Sequence, residues 1–527
     1  MAIKIILMVV FFGIMVGIGI YCRKNATDVN GFVLGGRSVG PWLTAFAYGT
    51  SYFSAVVFVG YAGQFGWKYG IAATWAGIGN ALIGSLMAWW VLGRRTRVMT
   101  QHLNASTMPH FFEARMKSPG LKLAASVLIF IFMIPYTASL YNGLSRLFGM
   151  AFHIDYTWCV IAMAVLTGIY VIVGGYMATA INDFIQGIVM LFGIVAVIAS
   201  VLNANGGFTE ALKGLATISD PTVSDTPGIF ASFFGPDLPG LLGVVILTSL
   251  GTWGLPQMVQ KFYAIKSEKQ INKGMIISTL FALVVAGGCY FLGGFGRLFS
   301  DKVNVAANGF DSIIPTMLEG LPDLLIAIVV ILVLSASMST LSSLVMTSSS
   351  TITLDFIKGS IRKNMKEKSQ LLCMRIFIVI FIAISAIIAI YQTKAGGDAV
   401  KYIAQLMGIS WGAMAGAFLA PFLYGLYWKG MTKASVWVNM IFSVLVMLGC
   451  IIPPVKALYP AYLQSPINAG AFCMLAGLII VPLVSLFTKK PEKEHIDKVF
   501  SCYDRKVYVT TKEAIGEAEA VEEGDTL

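Results

Sequence analysis

Long apolar runs, each able to cross a hydrocarbon core of roughly 30 Å, recur along nearly the whole chain, separated by charged or Gly/Pro-rich breaks. Such runs cross lipid only as helices, because each backbone N–H and C=O must find a partner without water. They fall near residues 5–21, 41–65, 71–92, 123–147, 156–173, 177–202 and 238–262. Six more follow near 275–299, 324–352, 371–391, 404–427, 436–452 and 469–486. The pattern predicts an all-α membrane protein of about thirteen transmembrane helices.

Composition agrees: 57% of the 527 residues are hydrophobic, 12% are charged and the mean hydropathy is +0.78, which excludes a soluble globular domain. The net charge of +11 matters through its distribution. Arg23, Lys24 and Arg37 follow the first run, Arg94, Arg95 and Arg97 the third, Lys261 to Lys273 the seventh, and Lys358 to Lys368 the ninth. All fall on one side, and cytoplasmic loops concentrate Lys and Arg. The N-terminus is therefore expected outside the cell membrane and the C-terminus in the cytoplasm. The charge is topology rather than a nucleic-acid surface. The first run shows no small-residue cleavage pattern before Cys22 and reads as a retained span. Seven cysteines without a CxxC pair give no metal or disulfide framework. Beyond Lys489 the chain turns polar and Glu-rich and is expected to be a disordered tail.

Three features carry candidate chemistry. The second span contains Gly49-Thr50-Ser51 and the seventh contains Gly251-Thr252-Trp253-Gly254-Leu255-Pro256. Each opens a set of five spans, and paired interrupted helices of this kind mark the binding site in many secondary transporters. Glycine tolerates unwound backbone and Pro256 removes a donor, so both helices can free carbonyl and amide groups. The ninth span, VILVLSASMSTLSSLVMTSSSTITLDF, crowds hydroxyls into an apolar helix; Ser335, Ser339, Ser342 and Ser343 share one face. Hydroxyl and carbonyl oxygens suit a hard monovalent cation, although small residues also serve helix contacts. Asp183 lies inside the sixth span, where a charge is costly and marks an ion path unless it pairs with a loop lysine.

The stretches FVLGGRSVGPWLTAFAYGTSYFS, LNASTMPHFFEARM, GGYMATAINDFIQG, GLPQMVQKFYAIK and ASMSTLSS together resemble the sodium:solute symporter family over nearly the whole chain. The resemblance implies a five-plus-five inverted repeat of the leucine-transporter type, with one extra helix before and two after. On that plan residues 1–40 hold the first span and a cytoplasmic loop, 41–203 the first repeat and 204–237 an external loop. Residues 238–427 hold the second repeat, 428–488 two added spans and 489–527 the tail. The resemblance further implies a sodium site made of the carbonyls of Thr50, Phe53 and Ala336 and the hydroxyls of Ser339 and Thr340. Asp183, Ser339, Ser342 and Ser343 match a second sodium site found in some members, so two sodium ions per solute are expected. The expected solute lining is Tyr52, Ser54, Tyr136, Trp253, Gln257, Gln405 and Trp411. Two positions that bear aromatic rings in proline carriers are Thr248 and Thr252 here, and Tyr52 stands in place of a family-typical acid. The arginine that sialic acid carriers place in the fourth span has no counterpart in FMIPYTASLYNG.

The expected function is sodium-driven import of a small organic solute such as an amino acid or carboxylate, with sodium as coupling ion, no cofactor, and the bilayer as surroundings. A cation channel would also use hydroxyl rings, and a transporter-like sensor would share the spans, but the paired breaks favour a carrier. His102, His110, His153 and His495 form no cluster, which argues against a metal-assisted enzyme.

Overall fold

The computed structural model describes residues 2–152, 155–305, 309–395 and 403–504. The Tyr52 side chain, His153 and the Glu-rich end of the tail lie outside the described part. Among the described residues, nine helices are long and apolar enough to cross a membrane, or ten when one bent pair is taken as a single span. The thirteen runs exceed this number because two of them meet end to end within Tyr156–Ala204, the second and third share Val56–His102, and Lys433–Gly449 is a shorter apolar helix. Tyr156–Ala204, 49 residues in all, is two helices that meet end to end, and they match the two expected runs near 156–173 and 177–202. They meet at Gly175, whose φ of +58° and ψ of −154° belong to backbone that only glycine adopts readily.

The two interruptions expected from Gly and Pro are present, and they have the same local form. Pro41–Tyr52 ends at Phe53, which is extended at φ −83° and ψ 116°, before helix resumes in wide turns over Val56–Tyr61. Leu238–Gly254 ends at Leu255, extended at φ −80° and ψ 122°, and Pro256–Ala264 continues at 45° to it. Pro256 supplies no N–H to the Thr252 carbonyl and sits at the first position of the new helix, where its fixed φ is favourable.

The Asp323–Thr351 helix runs through the centre, and its hydroxyl-rich stretch from Ser335 to Thr351 is buried throughout. It packs against Tyr156–Ala204, Pro119–Phe152 and Pro41–Tyr52. One crossing is exceptionally close. At Gly66 and Gly293 the helices Ala62–Tyr69 and Ile271–Gly293 meet backbone to backbone, and a Cβ on Gly66 would stand 1.9 Å from the Gly293 carbonyl oxygen.

Residues between Ala204 and Leu238 are folded onto helix ends. The Arg297 guanidinium donates to the Trp67 carbonyl at 2.6 Å and the Asp220 carboxylate at 2.9 Å, and lies over the Phe230 ring. Burial alone would raise the Asp237 carboxyl, but Lys68 at 2.8 Å and the Gly240 amide hold it below its ordinary value. That clamp is complete at neutral pH and is lost as acidification passes this lowered value.

The tail departs from the expected disorder. Lys493–Phe500 is a helix that buries Ile496, Val499 and Phe500. It is fixed by Lys429 to Asp497 at 2.9 Å and by His102 to the Lys498 carbonyl at 2.8 Å, and Tyr503 then reaches the Arg95 carbonyl at 3.1 Å. Its apolar residues at i, i+3 and i+4 bury one face, which the surrounding charges obscure in a composition-based reading.

Candidate functional site

The break after Tyr52 leaves the carbonyls of Thr50 and Phe53 without their usual helical partners, and both point at the Asp323–Thr351 helix. Ser339 Oγ lies 3.1 Å from the Thr50 oxygen and 3.0 Å from the Ala336 oxygen. Thr340 Oγ1 lies 3.1 Å from each of the Thr50, Phe53 and Ala336 oxygens. All five residues are buried. The structure therefore brings together the whole set Thr50, Phe53, Ala336, Ser339 and Thr340.

The proton count of this cluster is instructive. Each hydroxyl carries one hydrogen and can donate one good hydrogen bond, yet Ser339 faces two carbonyl oxygens and Thr340 faces three. Five oxygens converge around two protons. The excess of lone pairs makes a buried pocket of negative potential, which a desolvated cation would satisfy better than two hydroxyl hydrogens can. The adjoining break is stabilised separately, with Ser54 Oγ accepting from the Val56 amide at 3.2 Å.

The residues matched to a second ion are arranged differently. Ser342 Oγ donates to the Ser339 carbonyl at 2.9 Å, and the Ser339 hydroxyl belongs to the first cluster. Ser343 Oγ is 2.8 Å from Ser51 Oγ and accepts from Lys261 Nζ at 2.9 Å. Lys261 Nζ is also 3.8 Å from Asp183 Oδ2. Lys261 was expected in a basic loop; it is instead 2% exposed, on the half-helix beyond the second break. The available signal was QMVQKFY itself, in which no other charge follows Pro256 until Lys266 and Lys261 lies one turn beyond Gln257 on the same face.

Of the expected solute lining, Gln257 keeps both buried amide atoms without a hydrogen-bond partner among the described residues, and the Tyr136 hydroxyl is turned toward Trp411 and Ser54. The Tyr136 and Trp411 rings meet edge to face at 6.0 Å, and Trp411 packs on Gly251 just before the second break. Trp253 is committed elsewhere, its indole donating to the Ile83 carbonyl at 2.9 Å. Thr252 Oγ1 lies 2.9 Å from both the Ser249 carbonyl of its own helix and the Gly84 carbonyl, and Thr248 donates to Val244. Gln405 is half-buried, roughly 9 Å along its helix from Trp411. No group of three or more His, Cys, Asp or Glu able to hold a metal occurs among the described residues.

The profile of the sodium:solute symporter family matches residues 32–443. The sodium/proline symporter 2 of Staphylococcus saprophyticus is 30% identical over 497 residues, covering 92% of this chain and 93% of that protein. The sodium/proline symporter of Staphylococcus aureus is 30% identical over 499 residues, with the same coverage. Among solved structures, the substrate-bound outward-open state of a Na+-coupled sialic acid symporter superposes with a TM-score of 0.70. It shares 16% identity and covers 93% of this chain and 99% of that one, a likeness of fold. These relatives are sodium-coupled transporters rather than enzymes. Its sequence profile, its full-length relatives and its broken-helix fold make this chain a multi-pass membrane protein of the sodium:solute symporter family.

Proposed function

We propose that this chain imports a small organic solute together with sodium by alternating access, and that the sodium ion binds where Thr50, Phe53, Ala336, Ser339 and Thr340 converge. The observation that carries this reading is the surplus of buried oxygens over protons in that cluster. Because the Thr50 and Phe53 carbonyls belong to a broken helix, and the Ala336 carbonyl and both hydroxyls to the central helix, an ion there would tie the two together, which is what coupling requires. The matching extended residues Phe53 and Leu255 support two inverted five-span repeats over 41–203 and 238–427. With one span before and two after, these give thirteen crossings.

The solute would sit beside both breaks, against Gln257, Tyr136 and Trp411. Two relatives are named for proline, so amino acids head the panel of candidates. A thermal-shift screen of proline, other amino acids, small carboxylates and sugars, with sodium or choline, identifies the ligand by the stabilisation it confers on the folded protein. A ligand that stabilises only in sodium supports symport, whereas no sodium-dependent ligand across the panel speaks against it. For that ligand, Gln257→Ala is expected to raise KM about three- to tenfold, the loss of one hydrogen bond, with sodium dependence unchanged. An unaltered KM removes Gln257 from the lining.

The basic clusters support an external N-terminus and a cytoplasmic C-terminus. Cys502 is buried and a poor reporter of sidedness, but Lys489 is exposed. In a variant whose native cysteines are replaced, Lys489→Cys is expected to resist an impermeant maleimide in intact cells and react after permeabilisation. Labelling of intact cells reverses the orientation.

A further inference from the structure

The family resemblance led to the expectation of a second sodium ion at Asp183, Ser339, Ser342 and Ser343. The residues present do not fit one. Ser339 is shared with the first cluster and Ser342 gives its proton to the Ser339 carbonyl, which leaves lone pairs on both oxygens, so what excludes an ion is a cation already in place. The remaining serine and the carboxylate already face a cation. The Lys261 ammonium donates to Ser343 at 2.9 Å, stands 3.8 Å from Asp183 and lies 5.2 Å from the centre of the Tyr176 ring. All of this is buried, with Asp183 at 0% and Lys261 at 2% exposure.

Charge counting makes the arrangement self-sufficient. A buried carboxylate needs a positive neighbour, and neither Asp183 oxygen has a hydrogen-bond partner among the described residues. The ammonium supplies that neighbour and is itself held by the Ser343 hydroxyl and the face of the Tyr176 ring. A sodium ion added to the same pocket would give it a net positive charge, with two cations a few ångströms apart where water cannot screen them. Its source also differs from a diffusing ion. Lys261 rides on Pro256–Ala264, the half-helix that carries Gln257 one turn earlier.

We infer that the Lys261 ammonium is a tethered replacement for the second sodium ion, so that this symporter binds and carries one sodium per solute. The inference rests on the sodium-coupled reading above and fixes its stoichiometry. The cation that neutralises Asp183 moves with the protein and is not transported. Lys261 thereby acts as a positioning residue that holds the hydroxyl-rich helix, the Asp183 helix and the second broken helix together whether or not an ion is present.

Equilibrium binding of radioactive sodium to the purified protein tests this. The wild type is expected to bind one ion per chain with a Hill coefficient near one. Lys261→Ala empties the pocket beside Asp183 and is expected to bind two ions, and Lys261→Ala with Asp183→Asn one again. Lys261→Gln, which keeps most of the side chain's volume without its charge, serves as the second variant should alanine fold poorly, and is likewise expected to gain an ion. Two ions on the wild type, or no gain in either lysine variant, overturn the inference. No saturable sodium on the wild type at all would instead refute the sodium-coupled reading on which it stands.

Discussion

Ser339→Ala and Thr340→Ala are each expected to raise the sodium concentration for half-maximal solute uptake by roughly 10- to 100-fold, the range set by losing one oxygen that interacts with a charge. Both hydroxyls lie in the cluster with the Thr50 carbonyl, and Thr340 also reaches Phe53, so the loss falls on the ion rather than on the solute. Uptake at saturating sodium should recover most of its rate. Thr340→Ser keeps the oxygen and removes a methyl group, and its sodium dependence should stay near that of the wild type. An alanine variant with unchanged sodium affinity would take that residue out of the site. The sodium-free protein should weaken as well, because Thr340→Ala leaves the Phe53 carbonyl buried without the donor it faces.

The second large effect is on folding. Gly66→Val is expected to abolish accumulation of folded protein or to cost at least about 3 kcal/mol, because its Cβ would overlap the Gly293 carbonyl and backbone cannot turn aside as a side chain can. Gly17 offers the control, since nothing lies within 4 Å of a Cβ built there. Thermal midpoints of the solubilised proteins should leave Gly17→Ala near the wild type and lower Gly66→Val far below it. Equal midpoints would show that the two helices separate easily, contrary to the packing described.

How far the sequence was legible follows from what each signal measures. Apolar runs report lipid or core contact, and they gave the membrane class and most helices. They also separate the two helices that meet at Gly175, where a glycine bends the chain without any polar break. The hydroxyl cluster was readable because two motifs matched the family together, and because oxygen-bearing residues in an apolar span have few other uses. Lys261 was missed for the opposite reason. Charge in a basic stretch after a proline reads as loop, whereas Pro256 at the first position of a helix begins a new buried segment. The tail helix escaped in the same way, its three apolar contacts hidden among lysines and glutamates. Trp253 was expected in the lining, and Thr248 and Thr252 were matched to positions that bear rings in proline carriers, but a matched position does not reveal direction, and their polar hydrogens go to backbone carbonyls.

The central claim is coupling of solute entry to sodium, and proteoliposomes test it most directly. With purified protein and the ligand identified by thermal shift, an inward sodium gradient should accumulate labelled ligand above its external concentration. Replacing sodium by choline, or dissipating the gradient with a sodium ionophore, should reduce accumulation to equilibration. Accumulation indifferent to sodium, or a sodium current that flows without any solute, would contradict the account.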